Sequence, residues 1–185
     1  MEDSGRDSNR YQFERFILTQ LLVMALKGVP SFYLPALLAS ENDIKSFSMT
    51  GQRRDLNREK FKSDNLLSVL NNPESNANKN LKYLRNAMDV RSELKQFHPC
   101  SEMKCLSKGR SDIVVIKRGE GPKSIFAIHN MTANKINYQL NDNDLPQTID
   151  NYFNMRDFLA STKYNWKNIS LDPFQVIWLG SIKDD

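Results

Sequence analysis

A chain of 185 residues, 39% hydrophobic and 26% charged, has room for one large domain or two small ones and an ordinary globular composition. Its net charge of +4 is small, and its densest basic run (Arg53, Arg54, Arg58 and Lys60) is diluted by Asp55 and Glu59, which argues against nucleic acid as a partner. Cys100 and Cys105, its only cysteines, exclude a disulfide framework, and the longest apolar run, Leu21 to Leu26, is far too short to span a membrane.

The start of the chain, Met1 to Gly5, is acidic and polar with no signal-peptide pattern, so a cytoplasmic location is expected. In that setting Asn130-Met131-Thr132 and Asn168-Ile169-Ser170 are chance matches to the glycosylation pattern. Ser8 or Asn9 is placed to cap a helix, with Gln12 reaching back to it. The helix carries Phe13, Phe16, Ile17, Leu21, Leu22, Met24 and Leu26, a stripe wide enough to bury much of its circumference. Gly28 is the expected left-handed stop, and Pro30 blocks continuation.

Ser31 to Leu34 then reads as a short strand without polar alternation, which suits a parallel strand buried on both faces. No comparable run follows within the next sixty residues, so its partner strands are expected to lie outside this chain. Residues 35 to 62 read as a long polar loop with a helical turn at Ala36 to Ser40, and loops of that length are usually functional. Asp64 is expected to cap a short helix through Leu66, Leu67 and Leu70, broken at Asn71-Asn72-Pro73. Ser75 to Lys79 reads as a linker, and a second long helix, Asn78 to Gln96, follows on the stripe Leu81, Leu84, Met88 and Leu94.

After Pro99 the pattern turns to β. Asp112 to Lys117 and Ser124 to His129 are β-branched runs joined by the turn Arg118-Gly119-Glu120-Gly121-Pro122, a hairpin. Ile136 to Leu140 alternates, residues 144 to 172 are ambiguous, and Phe174 to Leu179 is the last strand. The expected fold is α/β followed by all-β, the second part a small antiparallel β-sandwich.

Several tempting sites fail on their chemistry. His98, Cys100 and Cys105 lack the second ligand pair that structural zinc requires, so no metal is expected. Gly119-Glu120-Gly121 opens no helix, and two histidines on unrelated segments support no Ser/His/Asp set. His129 is expected to be a hydrogen-bonded structural histidine, and Trp166 and Trp178 core residues.

Four segments, in order, carry a resemblance: Gly28-Val-Pro-Ser-Phe-Tyr33, Leu37-Leu-Ala-Ser-Glu-Asn-Asp43, Thr50-Gly51 and Asp55-Leu-Asn-Arg58. Together they resemble the sucrose phosphorylase group of glycoside hydrolase family 13, most closely its glucosylglycerate phosphorylase-type members. Ile125 to Met131, with its Asn at the end, and Pro173 to Leu179 are similar to strands of that group's C-terminal domain. The resemblance implies that residues 1–99 are the end of a TIM (β/α)8 barrel, its last helix–strand–helix unit. The eighth strand would be Val29 to Leu34, and residues 100–185 would form the C-terminal β domain.

It further implies retaining transfer of glucose from an α-glucoside to inorganic phosphate with no organic cofactor, through a carboxylate nucleophile and a carboxylic acid. Those carboxylates sit on earlier barrel strands, so this chain carries no catalytic residue and alone is expected to be inactive. Its implied substrate-binding residues are Asn57 and Arg58, the guanidinium reaching the glucose hydroxyls. Glu41, Asn42 and Asp43 match an element that shapes a loop, and Arg53 and Arg54 read as surface charges, with incoming phosphate as the sharper alternative. The implied partner, besides glucoside and phosphate, is the N-terminal portion of the barrel. Two alternatives stay open: a stand-alone carbohydrate-binding or interaction β protein, and a fragment of an α-amylase-type hydrolase.

Overall fold

Two arginines from distant segments end the first helix. A computed structural model describes residues 10–57, 61–107, 109–141, 145 and 155–181, the Asn57 side chain excepted. In it α1 runs Gln12–Ala25 and buries Ile17, Leu18, Leu21, Met24 and Ala25. Ser8 and Asn9 lie outside the described residues, and the N-cap is Tyr11, which makes no side-chain cap. Nor does Gly28 stop the helix, because Leu26 is already extended. The last carbonyls are met by guanidinium groups instead. Arg91 donates from Nε to Met24 O (3.0 Å) and from Nη2 to Gly28 O (2.9 Å), and Arg118 donates from Nη1 to Ala25 O (3.0 Å). Cations at a helix C-terminus also complement its dipole.

Contacts divide the described chain into two compact units, residues 31–86 and residues 10–30 with 87–181. The first is helical. The expected strand at Ser31 to Leu34 does not form. Tyr33 is extended, but no strand pairs with it among the described residues, and Leu34 already opens α2, Leu34–Leu37, with Pro35 in its first turn. Proline is well suited to that position and cannot serve a central strand. The expected polar loop is also structured, holding α3, Ile44–Thr50, and a 3-10 turn, Arg53–Asn57.

α4 spans Ser63–Asn71, with Lys62 rather than Asp64 at its N-cap. The supposed linker opens α5, Asn76–Glu93, where Ser75 Oγ accepts the Asn78 N–H at 3.1 Å. Buried Asn80 donates from Nδ2 to Ala36 O (2.9 Å) and Leu37 O (2.8 Å), tying down the end of α2.

The second unit is built on antiparallel strands: β1 Met103–Cys105, β2 Ile113–Arg118, β3 Ile125–Asn130, β4 Ile136–Tyr138, β5 Met155–Asp157, β6 Lys163–Tyr164, β7 Ile169–Leu171 and β8 Val176–Ser181. Six form one sheet in the order β1-β2-β3-β8-β5-β6, and β4 pairs with β7. The expected β2–β3 hairpin forms, Ile113 opposite Asn130 and Arg118 opposite Ile125.

Strand alternation explains the core. Ile113, Val115, Phe126, Ile128, Ile177 and Leu179 share one sheet face and cluster with Tyr138, Ile169 and Leu171 of the small sheet. The alternate residues of β3 and β8 (Ile125, Ala127, His129, Val176 and Trp178) are buried too. Helix α1 packs on β3, and Phe97 stacks on Trp178 with ring centroids 4.5 Å apart. A sheet covered on both faces accounts for strands without polar alternation. Asn130 closes the end of β3, donating to Asn134 O (2.7 Å) and Asp172 O (2.8 Å) while its Oδ1 accepts the Thr132 N–H at 2.9 Å.

Candidate functional site

The segment Asp43 to Leu56 is a closed loop. Asp43 caps α3 by accepting the Ser46 N–H at Oδ1 (2.8 Å) and the Ser46 hydroxyl at Oδ2 (2.5 Å). Gly51 ends the same helix at φ 65°, its N–H donating to Phe47 O at 2.8 Å. A residue with a Cβ is strained in that left-handed conformation. Past it, the Thr50 hydroxyl donates to Asp55 Oδ2 at 2.5 Å. The circuit closes where the Asp43 N–H donates to Leu56 O at 2.8 Å. Asp43 thus sets, from both its backbone and its side chain, where the chain stands at Leu56.

The next residues are the ones the sequence singled out. The backbone of Asn57 ends the 3-10 turn, whereas the Asn57 side chain and Arg58, with Glu59 and Lys60, lie outside the described residues. Arg53 and Arg54 are exposed on that turn, as are Glu41 and Asn42 before it. Phe61, where the described chain resumes, lines an apolar hollow of about 360 Å³ with Leu38, Leu66, Val69 and Ala77. Among the described residues, no acidic or basic side chain lines that hollow. The acids of the loop, Asp43 and Asp55, serve as acceptors that fold it.

Loop chemistry of this kind can present hydrogen-bond donors to a polar ligand but holds no acid and base poised against each other. Asp43 shapes the loop, as the element it matches implies, and does so as the cap of α3; the part of Gly51 in folding it was not expected. Asp43 and Gly51 bracket seven helical residues, an N-cap and a left-handed stop at the right spacing, and that pair was the available signal for α3.

Elsewhere the expected structural residues fall into place. Trp166 and Trp178 are buried. His129 is buried with Nδ1 3.3 Å from Val114 O, and burial pulls its pKa down to about 4. His98 Nδ1 accepts the Cys100 N–H at 3.2 Å, and both cysteines are exposed free thiols. No group of three or more His, Cys, Asp or Glu suited to a metal ion occurs among the described residues, and no described helix is long and apolar enough to cross a membrane.

No protein-family profile matches the chain. Curated relatives do. It is 28% identical over 165 residues to a glucosylglycerate phosphorylase of Allomeiothermus silvanus, covering 89% of this chain and 26% of the relative. It is 22% identical over 172 residues to the glucosylglycerate phosphorylase of Escherichia coli, covering 93% of this chain and 29% of the relative. The chain therefore spans about a quarter of the length of the curated relatives it matches.

Among solved structures, the trehalose-6-phosphate hydrolase of Bacillus licheniformis superposes with a TM-score of 0.65 at 16% identity, over 95% of this chain and 40% of that one. An Anoxybacillus α-amylase gives 0.65 at 16% identity, over 93% and 33%. AmyP, solved with maltotriose, gives 0.67 at 14% identity, over 93% and 35%. The fold matches that of 33–40% of each of these solved enzymes, and the resemblance to glucosylglycerate phosphorylases, read first from ordered motifs, holds over about nine-tenths of the chain.

Proposed function

We propose that the chain is the C-terminal part of a retaining α-glucosyl phosphorylase of the sucrose phosphorylase group, glucosylglycerate phosphorylase in type. The observation that carries this reading is similarity to two such phosphorylases along most of this chain but only 26% and 29% of theirs. Residues 1–99 would complete a (β/α)8 barrel as its last helix–strand–helix unit, and residues 100–185 would be the C-terminal β domain. Val29 to Tyr33, extended at Tyr33 and without a partner strand among the described residues, would stand where the barrel's eighth strand is expected and pair within that barrel.

In this reading Asn57 and Arg58 hold the glucosyl unit. A guanidinium offers several donors in a rigid fork, which suits vicinal hydroxyls. The loop closed by Asp43 sets where that pair begins. The attacking carboxylate and the acid that protonates the leaving oxygen belong to the rest of the barrel, the partner this chain requires. The donor's anomeric C–O bond breaks as the carboxylate bonds to carbon. Inorganic phosphate then displaces the carboxylate, and two inversions retain the α configuration. No organic cofactor enters, and the location proposed is the cytoplasm.

Co-expression with the complementary portion of the Escherichia coli phosphorylase tests this. The pair is expected to release glucose 1-phosphate from glucosylglycerate and phosphate, and the chain alone to release none. In the active pair, Arg58→Ala should raise KM for the glucoside and cut kcat/KM about a hundredfold, the value of two hydrogen bonds from a charged donor. An unchanged kcat/KM would remove Arg58 from the site. A second reading, an α-amylase-type hydrolase, is favoured by the fold shared with trehalose-6-phosphate hydrolase. Free glucose as the main product in excess phosphate would establish it.

A further inference from the structure

Beyond the last turn of α5, the chain folds over itself to form a recess of about 530 Å³, lined by Arg91, Lys95, Phe97, His98, Pro99 and Ser101 among others. No acidic side chain lines it. Phe97 has two guanidinium groups near its ring, Arg91 Cζ 5.8 Å and Arg118 Cζ 5.7 Å from the centroid. Arg118 is fully buried and donates from Nη2 to His98 O at 2.8 Å, while its Nε has no partner. Among the described residues, the acceptors for the two guanidinium groups are neutral backbone carbonyls: Met24, Ala25, Gly28 and His98.

That leaves a charge imbalance. The C-terminus of α1 offers roughly half a negative charge to two full positive ones. Around the recess stand donors that the fold leaves uncommitted. Arg91 uses Nε and Nη2 on carbonyls, so Nη1 remains. His98 accepts at Nδ1 and therefore carries its proton on Nε2, and Lys95 is exposed. We propose that this recess binds a phosphate group, inorganic or carried by a small phosphomonoester, between Arg91, Lys95 and His98. Arg91 and Lys95 bring two cationic donors to this recess and His98 a neutral N–H, and charge-assisted donors of this kind suit an oxyanion. Pro99 gives a phosphomonoester an apolar wall for its organic part. The site is separate from the Asp43–Leu56 loop and does not rest on the function proposed for it.

Amide NMR of the whole chain, titrated with inorganic phosphate and with glucose 1-phosphate against sodium chloride of equal ionic strength, tests this. Saturable shifts confined to residues 91–101, absent with chloride, are expected. Lys95→Glu should weaken binding at least tenfold while the amide peaks of β2 and β3 stay in place. If that variant fails to fold, His98→Ala should weaken binding severalfold and serves in its place. Equal affinity for the two ligands assigns the phosphate group alone, and tighter binding of the ester assigns the phosphomonoester. Shifts that chloride reproduces, or binding that neither variant weakens, would overturn the proposal.

Discussion

At the scale of single residues, Arg118 and His129 lie beneath α1 for opposite reasons. Burial pulls the Arg118 guanidinium below its ordinary value, and the charge of Arg91 adds to the effect. It stays because it is the donor for one buried carbonyl, that of Ala25, and one part-buried carbonyl, that of His98, and a buried acceptor stripped of its donor costs about 1–3 kcal/mol. Arg118→Met also removes the unpartnered Nε, which offsets part of that loss. A net destabilisation of about 2 kcal/mol is expected. Urea unfolding followed by tryptophan fluorescence measures it, since both tryptophans belong to this unit. Arg118→Lys should not rescue, because one ammonium cannot span both carbonyls.

His129 is held neutral. Its pKa falls to about 4 from 6.5, by burial first, with backbone hydrogen bonds opposing. The unfolded chain therefore takes up a proton first as pH drops. The contribution is whole above pH 6.5 and is lost as pH falls toward about 4, worth roughly 3 kcal/mol in all. Asp157 opposes it, because burial raises its carboxyl and protonation then favours the fold. The check is the unfolding free energy across that window. It should fall steeply with acid in the parent and less so in His129→Gln.

At the scale of elements, α3 depends on its two ends more than on its faces. None of its residues is buried, and Ile44 and Met49 are largely exposed. A helix of seven residues without a buried face is not stable on its own. The cap at Asp43 and the turn at Gly51 hold it, so Asp43→Ala should cost about 1 kcal/mol locally. Hydrogen exchange should rise at amides 44–56 and leave the β strands unchanged; uniform protection would argue against the cap's role.

The same scale explains why Ser31 to Leu34 is not a strand here. A strand gains its hydrogen bonds from neighbours, and Pro35 favours a helical turn immediately after it. Apolar content alone could not decide between a buried strand and the approach to a helix.

For the whole molecule, exposed apolar side chains divide between the units. Val23, Leu26 and Val29 lie on the β-containing unit, and Tyr33, Leu34, Ile44, Met49 and Leu67 on the helical one. Val29 is 80% exposed and Met49 77%. Single exposed apolar residues are ordinary, but in the reading proposed above Tyr33, Leu34, Ile44 and Met49 of the helical unit are surface for the rest of the barrel to cover. Size-exclusion chromatography of the isolated chain should show self-association that the complementary barrel portion abolishes. A clean monomer with no affinity for that portion would favour a stand-alone carbohydrate-binding module.

The sequence by itself determined the two long helices, the β2–β3 hairpin, the last strand and the family resemblance. Those features rest on local periodicity, β-branched runs and ordered motifs, all of which are written along the chain. Asn57 and Arg58 were singled out only through the resemblance, because a lone arginine in a polar loop has no local signature, and their role stays a proposal. Tertiary structure alone decided what ends α1, since Arg91 and Arg118 lie 67 and 93 residues from the carbonyls they meet. It alone decided that Asp43 meets Leu56, and that one sheet is buried on both faces. Arg91, Arg118 and the two-sided burial of the sheet pair groups far apart in sequence, and Asp43 and Leu56, 13 residues apart, meet only because α3 and the turn after it fold between them. No local periodicity records these meetings, so their energy appears only once the chain has brought the partners together.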